Sequence, residues 1–257
     1  MVATGNVGSM ANPSNVVETI NMNIFRSCHS LPLYPHEIKM ANGMMIHNVP
    51  IIAGGNGKNG PLSEVYNLDF LSNSWVMLGN MAEKRNQFAV AELNGGVWAM
   101  GGFSQKGQGF WSSMLSSTEI IYTDGTILDG PHLPEARARH CAVNLPNGKV
   151  IIMGGRTGSQ SDPVSKDVLI YDPSTSNYTS GKDMTSDHEM FACVHFYSDK
   201  HQGRPVILAA GGSSSSKAEI YDYVNGHWEE SKLFLSHYDI GRTWLILINS
   251  LFPFVSN

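Results

Sequence analysis

Charge and cysteine are both scarce in this sequence of 257 residues. Lys, Arg, Asp and Glu together make up 15% of the chain, below the roughly 25% that is typical of soluble domains. The net charge is −5, and no run of Lys and Arg is longer than two residues. The lack of a basic patch argues against a nucleic acid partner, and an acidic surface is poorly suited to an anionic membrane.

The three cysteines are Cys28, Cys141 and Cys193. Their odd number and wide spacing do not resemble a disulfide framework, and they favour a cytoplasmic location over a secreted one. No Cys-x-x-Cys or His-x-x-His pair indicates a zinc site, so we expect neither a metal nor another cofactor. The first residues lack the pattern of a signal peptide. The longest apolar stretch, 244–255, is shorter than the ~20 residues that span a bilayer.

Glycine is abundant, with 26 residues, and part of it is arranged in a repeat. Four apolar stretches each end in a Gly-Gly doublet, which begins at Gly54, Gly101, Gly154 and Gly211. The doublets recur with a period of roughly 50 residues. A polar loop follows each doublet, and then a segment with an acid and a tyrosine. These pairs are Glu64 with Tyr66, Glu119 with Tyr122, Asp167 with Tyr171, and Glu219 with Tyr221.

This order of features resembles the kelch repeat, in which one repeat forms a four-stranded blade of a β-propeller. The resemblance implies an all-β fold, with residues 1–257 as a single kelch-type propeller domain. The expected whole blades are 35–79, 80–129, 130–181 and 182–231. A partial blade at 1–34 and a closing strand at 232–249 are expected to complete one another, followed by an irregular tail at 250–257.

Two interpretations of the blade number stay open. Counting the composite blade gives about five blades, with the last closed by the N- and C-terminal strands. Kelch propellers usually have six, so the chain is either a five-bladed ring or a truncated piece of a six-bladed one. Pairing of the two ends in one blade would remove the exposed strand edges.

Loops carry specificity in this architecture, and the resemblance places the loops after the doublets and the loops between blades on one face. Eight residues of these loops are candidates for binding a partner. They are Arg85, Phe110, Trp111, Arg137, Arg139, Arg156, His188 and Arg242.

Each group of candidates has two interpretations. The arginines are suited to gripping carboxylates or phosphates through paired hydrogen bonds. Arg137 and His140, however, match an Arg-x-x-His pattern of kelch repeats, and we favour a structural role for this pair in capping strand carbonyls. Phe110 and Trp111 either anchor a partner or fold back over the blade.

The resemblance implies a non-catalytic module that binds a protein or peptide through loops on one propeller face, with no catalytic residue. One alternative is an extracellular kelch protein that binds glycan or matrix. Another is a kelch-built enzyme of the galactose-oxidase or sialic-acid-epimerase type.

Cys141 and Cys193 fall on first strands of adjacent blades, which we expect to diverge beyond the ~7 Å that a disulfide tolerates. All three cysteines are therefore predicted to be free thiols.

Overall fold

The computed structural model describes residues 2–4, 14–15, 17–21, 26–105, 112–158, 163–215 and 217–231, with the backbone alone for 2–4, 17–21, 26–30 and 112. This part of the chain is built from β-strands, with one 3-10 turn at Asp199–His201. The all-β prediction is confirmed. None of its helical segments has the length and apolar character needed to cross a bilayer.

The strands follow one another as antiparallel sheets along the chain. A three-stranded sheet contains β1 (Val2–Thr4), β2 (Val17–Asn21) and β3 (Arg26–Ser30). Blade I contains β4 (Asn42–Ile46), β5 (Val49–Ala53), β8 (Glu64–Asp69) and β9 (Ser74–Asn80), with the small hairpin β6 (Asn56–Gly57) and β7 (Gly60–Pro61). Blade II contains β10 (Ala89–Leu93), β11 (Gly96–Met100), β14 (Thr118–Ile121) and β15 (Ile127–Asp129), with the hairpin β12 (Phe103–Gln105) and β13 (Ser112–Met114).

The next two blades have the same order. Blade III contains β17 (Cys141–Asn144), β18 (Val150–Met153), β20 (Val168–Asp172) and β21 (Asn177–Ser180). The short strand β16 (Arg137–Ala138) pairs with β19 (Arg156–Thr157) beside it. Blade IV contains β22 (Ala192–Ser198), β23 (Arg204–Ala210), β24 (Ala218–Asp222) and β25 (His227–Ser231).

The second strand of each blade is the stretch that ends in the Gly-Gly doublet, and it is buried on both faces. Every residue of β11 and β18 is buried. A strand covered on both faces needs a continuous apolar run rather than an alternating one. The apolar stretches before the doublets therefore predicted these strands correctly.

Neighbouring blades share their apolar cores, and their first strands pack side by side in the order β4, β10, β17 and β22. The core between blades II and III joins Trp98 and Ile120 to Val150 and Tyr171. The core between blades III and IV joins Ile151 and Val168 to Ile207 and Tyr221. Consecutive blades with first strands packed around a common axis form the predicted kelch-type propeller.

The free-thiol prediction is wrong for two of the three cysteines. Cys141 begins β17, Cys193 lies in β22, and the two form a disulfide across 6.1 Å between their Cα atoms. First strands are the innermost strands of a propeller, so they converge at the hub instead of diverging. With two of its three cysteines paired, the cysteine content no longer favours a reducing compartment.

The expected closing strand and tail, at 232–249 and 250–257, lie outside the described residues. The three-stranded sheet β1–β3 lies within the expected partial blade. Pairing of the two chain ends in one composite blade stays a prediction.

Candidate functional site

Each blade begins with a residue whose backbone is left-handed. The φ angles are 59° at Met40, 53° at Gln87, 59° at Arg139 and 55° at Met190. We call these four the mouth residues, because they directly precede or lead into the innermost strands at one end of the central channel. A left-handed conformation costs an L-residue roughly 1–2 kcal/mol, so its recurrence indicates a backbone that the surrounding fold holds in place.

Backbone hydrogen bonds connect the mouth residues from blade to blade. The N–H of Gln87 donates to the carbonyl of Met40 at 3.1 Å, and the N–H of Arg139 donates to that of Gln87 at 2.8 Å. The N–H of Met190 donates to the carbonyl of Arg139 at 2.9 Å. The mouth is therefore a continuous arc of main chain across four blades, from which the side chains project.

The side chains of the arc also form hydrogen bonds from one blade to its neighbour. Gln87 donates its amide to Met40 Sδ at 3.0 Å, and Arg139 Nε donates to Gln87 Oε1 at 2.6 Å. Arg139 Nη1 donates to Glu189 Oε2 at 3.0 Å. The guanidinium of Arg139 also lies 5.4 Å from the centre of the Phe103 ring, a distance suited to a cation–π contact.

Glu189 is held by a second arginine from the loop after the third doublet. Arg156 donates from Nε and Nη2 to the two carboxylate oxygens, at 2.7 and 3.0 Å. Burial raises the pKa of Glu189, but the hydrogen bonds from Arg156 and Arg139 outweigh it and bring the pKa below its usual value. The same bonds raise the pKa of Arg156. Gln87, Arg139, Arg156 and Glu189 are called the mouth cluster below.

The mouth cluster has one net positive charge and an accessible guanidinium. Arg139 and Arg156 are 28% and 21% exposed, whereas Glu189 is only 7% exposed. Nη2 of Arg139 donates to no described residue, so this side chain retains hydrogen-bonding capacity on the exposed side. The cluster is chemically suited to a carboxylate or another anion, because a guanidinium presents several donors in one plane.

A second set of basic residues lies two positions before the mouth residues and points into the blades. Arg85 donates to the carbonyl of Gly101 at 2.8 Å and to Glu119 at 2.7 Å. Arg137 donates to the carbonyl of Gly154 at 2.7 Å and lies 3.4 Å from Asp167.

His188 makes the same two contacts in blade IV. Its Nδ1 lies 2.7 Å from the carbonyl of Gly211, and its Nε2 lies 3.0 Å from Glu219. Both partners are acceptors, so both contacts are hydrogen bonds only when the ring is an imidazolium. Burial raises the pKa of Glu219, but the bonds from His188 and Thr185 and from two backbone N–H groups lower it to about 2.

His140 does not act as the Arg-x-x-His pattern implies. Its ring is 7% exposed, and neither ring nitrogen has a hydrogen-bond partner among the described residues. Burial, with a further effect of Arg137, lowers the pKa of His140 to about 3. Of the expected pair, Arg137 caps a strand carbonyl and His140 does not.

Among the described residues, no group of three or more His, Cys, Asp or Glu side chains is placed to hold a metal ion. The ionisable groups of the mouth are bonded to one another instead. The chemistry that this arrangement supports is recognition of a charged group.

Comparison with known proteins places these repeats in a family. A model of the kelch motif matches residues 136–185, which contain the third doublet. An F-box/kelch-repeat protein of Arabidopsis thaliana is 30% identical over 164 residues, covering 61% of this chain and 40% of the relative. Alpha-scruin of Limulus polyphemus is 22% identical over 225 residues, covering 80% of this chain and 23% of the relative.

The chain contains kelch repeats. The solved structure of YjhT matches 80% of this kelch chain and 68% of its own, with 18% identity and a TM-score of 0.65, and this likeness shows the fold. The chain spans two fifths or less of the length of the curated relatives it matches.

The structure divides the eight predicted site residues of this kelch protein into three groups. Arg139 and Arg156 come together in the mouth cluster. Arg85, Arg137 and His188 are at most 1% exposed and use their polar groups inside the blades. Phe110, Trp111 and Arg242 lie outside the described residues.

Sequence reasoning missed Gln87 and Glu189, which join the two arginines. Glu189 directly follows His188, and its charge is opposite in sign to the charges of Arg139 and Arg156. Charge complementarity between neighbouring inter-blade loops was the available signal, but the two arginines are 50 and 33 residues away from Glu189 in sequence.

Proposed function

We propose that this kelch-repeat chain is a non-catalytic binding module for another protein or peptide, with the mouth cluster at the centre of the contact surface. The kelch relatives are typically protein-interaction modules, and the names of two of them pair the repeats with an F-box or a BTB domain. The observation that carries the proposal is the partly exposed pair Arg139 and Arg156, which is held in place around Glu189.

The bracing matters because binding is stronger when the contacting groups are already ordered. A free arginine side chain loses rotamer freedom when it binds, at a cost of roughly 0.5–1.5 kcal/mol. Here Arg139 is oriented by Gln87 and Glu189, and its backbone is fixed by the arc of the mouth. Much of that ordering has therefore taken place before a partner arrives.

The charge pattern indicates an acidic contact group on the partner. The whole chain has a net charge of −5, whereas the mouth cluster has two guanidiniums and one carboxylate. An anionic side chain would meet a local positive site on an otherwise acidic protein. Such a contact weakens as salt screens it, with a Debye length of about 8 Å at physiological ionic strength.

Partner capture with Arg139→Ala tests the proposal. Arg139 is the better choice for truncation, because Arg156 still holds the Glu189 carboxylate in the variant. We expect recovery of the partners bound by the wild-type chain to fall by about tenfold or more, as measured by quantitative mass spectrometry. The remaining binding should also become less sensitive to salt.

Lys149→Ala is the matched control. Lys149 lies in the hairpin between β17 and β18, at the opposite end of the channel, and it is also paired with a carboxylate, that of Asp172. Its truncation removes one positive charge and one ion pair without touching the mouth. Equal recovery of partners by wild type, Arg139→Ala and Lys149→Ala would contradict the proposal that the mouth cluster binds the partner.

A further inference from the structure

The first strands of neighbouring blades belong to separate sheets, so no strand ladder joins them. Side chains make the link at two of the junctions. Between blades I and II, Asn42 donates its amide to the carbonyl of Phe88 at 3.0 Å. Between blades II and III, Asn144 accepts from the N–H of Glu92 at 2.8 Å and donates to its carbonyl at 2.7 Å.

The junction between blades III and IV has a covalent link instead. The Cys141–Cys193 disulfide connects β17 to β22, and Cys193 Sγ lies 3.7 Å from the carbonyl oxygen of Ala142. Asn42, like Cys141, lies two residues after the mouth residue of its blade, whereas Asn144 makes its contact three residues further along β17. The disulfide therefore takes the place of a hydrogen bond between first strands, and unlike a hydrogen bond it can be broken by reduction.

This redox-sensitive junction lies directly beneath the mouth cluster. Cys141 follows Arg139 by two residues, and Cys193 follows Glu189 by four. The same two segments meet through the bond from the Met190 N–H to the Arg139 carbonyl and through the Arg139–Glu189 ion pair. A change in the distance between β17 and β22 would therefore also affect the contacts between Arg139, Glu189 and Met190.

We propose that Cys141 and Cys193 form a redox-responsive clip that holds blades III and IV together and keeps the mouth cluster ordered. A low-molecular-weight thiol reduces it by thiol–disulfide exchange. The S–S bond breaks, the two sulfurs take up two electrons and two protons, and two reductant thiols form their own disulfide. Both cysteines are half-buried rather than fully buried, which leaves a route for a small thiol.

Hydrogen exchange on the full chain tests the clip without a partner. The chain is oxidised with glutathione disulfide or reduced with dithiothreitol, and alkylation with mass spectrometry reports the state of each cysteine. We expect reduction to increase exchange in 137–141 and 188–193, with little change in 86–92 at the junction held by Asn144. The midpoint of thermal unfolding should fall by about 5–10 °C.

Three variants separate this effect from a general effect of reductant. Cys28→Ser should keep the full response, because Cys28 lies outside the clip. The double change Cys141→Ser and Cys193→Ser should behave like the reduced chain under both conditions. Asn144→Ala should loosen the junction between blades II and III equally in both. Alkylation of Cys141 and Cys193 in the oxidised chain, or unchanged exchange after reduction, would overturn the proposal.

The consequence for binding rests on the proposed function. Partner recovery by the reduced chain should fall toward that of Arg139→Ala. If neither redox form captures a partner, the proposed function fails, while the exchange measurement still decides whether the clip exists. If the clip responds to reduction and partner recovery does not change, the coupling to the mouth is wrong.

Discussion

The side chain two positions before each mouth residue reaches the same two oxygens in blades II, III and IV. Arg85, Arg137 and His188 each contact the carbonyl of the first doublet glycine and an acid that lies in the third strand or directly before it. In blades II, III and IV, the acid of the acid–tyrosine pair is therefore the partner of this basic side chain. Three of the candidate binding residues, Arg85, Arg137 and His188, are therefore buried, and their hydrogen bonds hold the inter-blade loops against the blades.

His140 is the residue whose chemistry fits its surroundings least. Phe88 and Phe191 occupy the equivalent position in blades II and IV, and each ring lies against the first doublet glycine of the preceding blade, as the His140 ring does. The imidazole thus brings two unpaired nitrogens into an aromatic site. A buried polar group without a partner costs about 1–3 kcal/mol.

We expect His140→Phe to stabilise the protein, and more so in acid. The pKa of His140 is about 3 in the folded chain and near 6.5 in an unfolded one. Between these values the unfolded chain binds a proton that the folded chain does not, so the free energy of unfolding falls as pH decreases, by about 1.4 kcal/mol per unit. Denaturant unfolding should show a gain of about 1–3 kcal/mol at pH 7.5 and roughly 2 kcal/mol more at pH 5.

The exposed His132 provides the control for this pH effect. His132→Gln removes an imidazole from the surface loop before blade III and serves as the comparison variant at both pH values. A gain from His140→Phe that is the same at both pH values would contradict the assignment of the proton to His140.

At the scale of the structural element, the Gly-Gly doublet is a close crossing between two blades. Gly154 has a φ of 59°, and a Cβ added there would lie 2.6 Å from the carbonyl oxygen of His188 and 2.9 Å from Met184 Cε. That His188 carbonyl already accepts the N–H of Gly155 at 2.7 Å. The loop before blade IV is therefore held against the doublet of blade III, with no space for a side chain.

Gly154→Ala should destabilise the protein for two separable reasons, which Gly203→Ala distinguishes. Gly203 has a similar φ of 69°, but nothing lies within 4 Å of an added Cβ. The control should lose about 1 kcal/mol from its left-handed backbone, and Gly154→Ala should lose roughly 1–3 kcal/mol more from overpacking. Chemical denaturation of both variants measures the difference, and equal losses would show that the crossing is not tight.

At the scale of the whole molecule, blades are coupled because each interface core belongs to two of them. Trp98 is fully buried in blade II, donates its indole N–H to Thr118 Oγ1 at 2.8 Å, and lies 4.9 Å from the Tyr171 ring of blade III. A single repeat cannot bury the hydrophobic faces of its own sheet. Most of the stability of each blade therefore comes from its neighbours, as in other repeat proteins.

Trp98→Ala should weaken blades II and III together, at a cost of about 3–5 kcal/mol. Hydrogen exchange should accelerate in the strands of both blades and much less in blade IV. Trp75→Ala is the comparison, because Trp75 contacts Tyr34 and the carbonyl of Pro32 and not blade III. Exchange that accelerates in blade II alone after Trp98→Ala would contradict the shared core.

Local patterns were sufficient for the repeat and insufficient for its cross-links. Apolar runs before the doublets predicted the second strands, because a strand buried on both faces must be apolar throughout. The position of Arg85 in a loop made it a candidate for binding a partner, and only for Arg137 did the sequence favour a structural role. Their partners Glu119 and Asp167 are about 30 residues away. Loop position alone does not reveal whether a side chain turns inward.

Apolar runs and glycine at fixed spacing are sufficient to predict the kelch repeat, the all-β architecture and the positions of the blade strands. Only the packed blades show which charged residues are internal, that Glu189 joins Arg139 to Arg156, and that Cys141 pairs with Cys193. Those pairings depend on how tightly the first strands converge at the hub. That distance is a property of packed blades and is encoded in no single repeat.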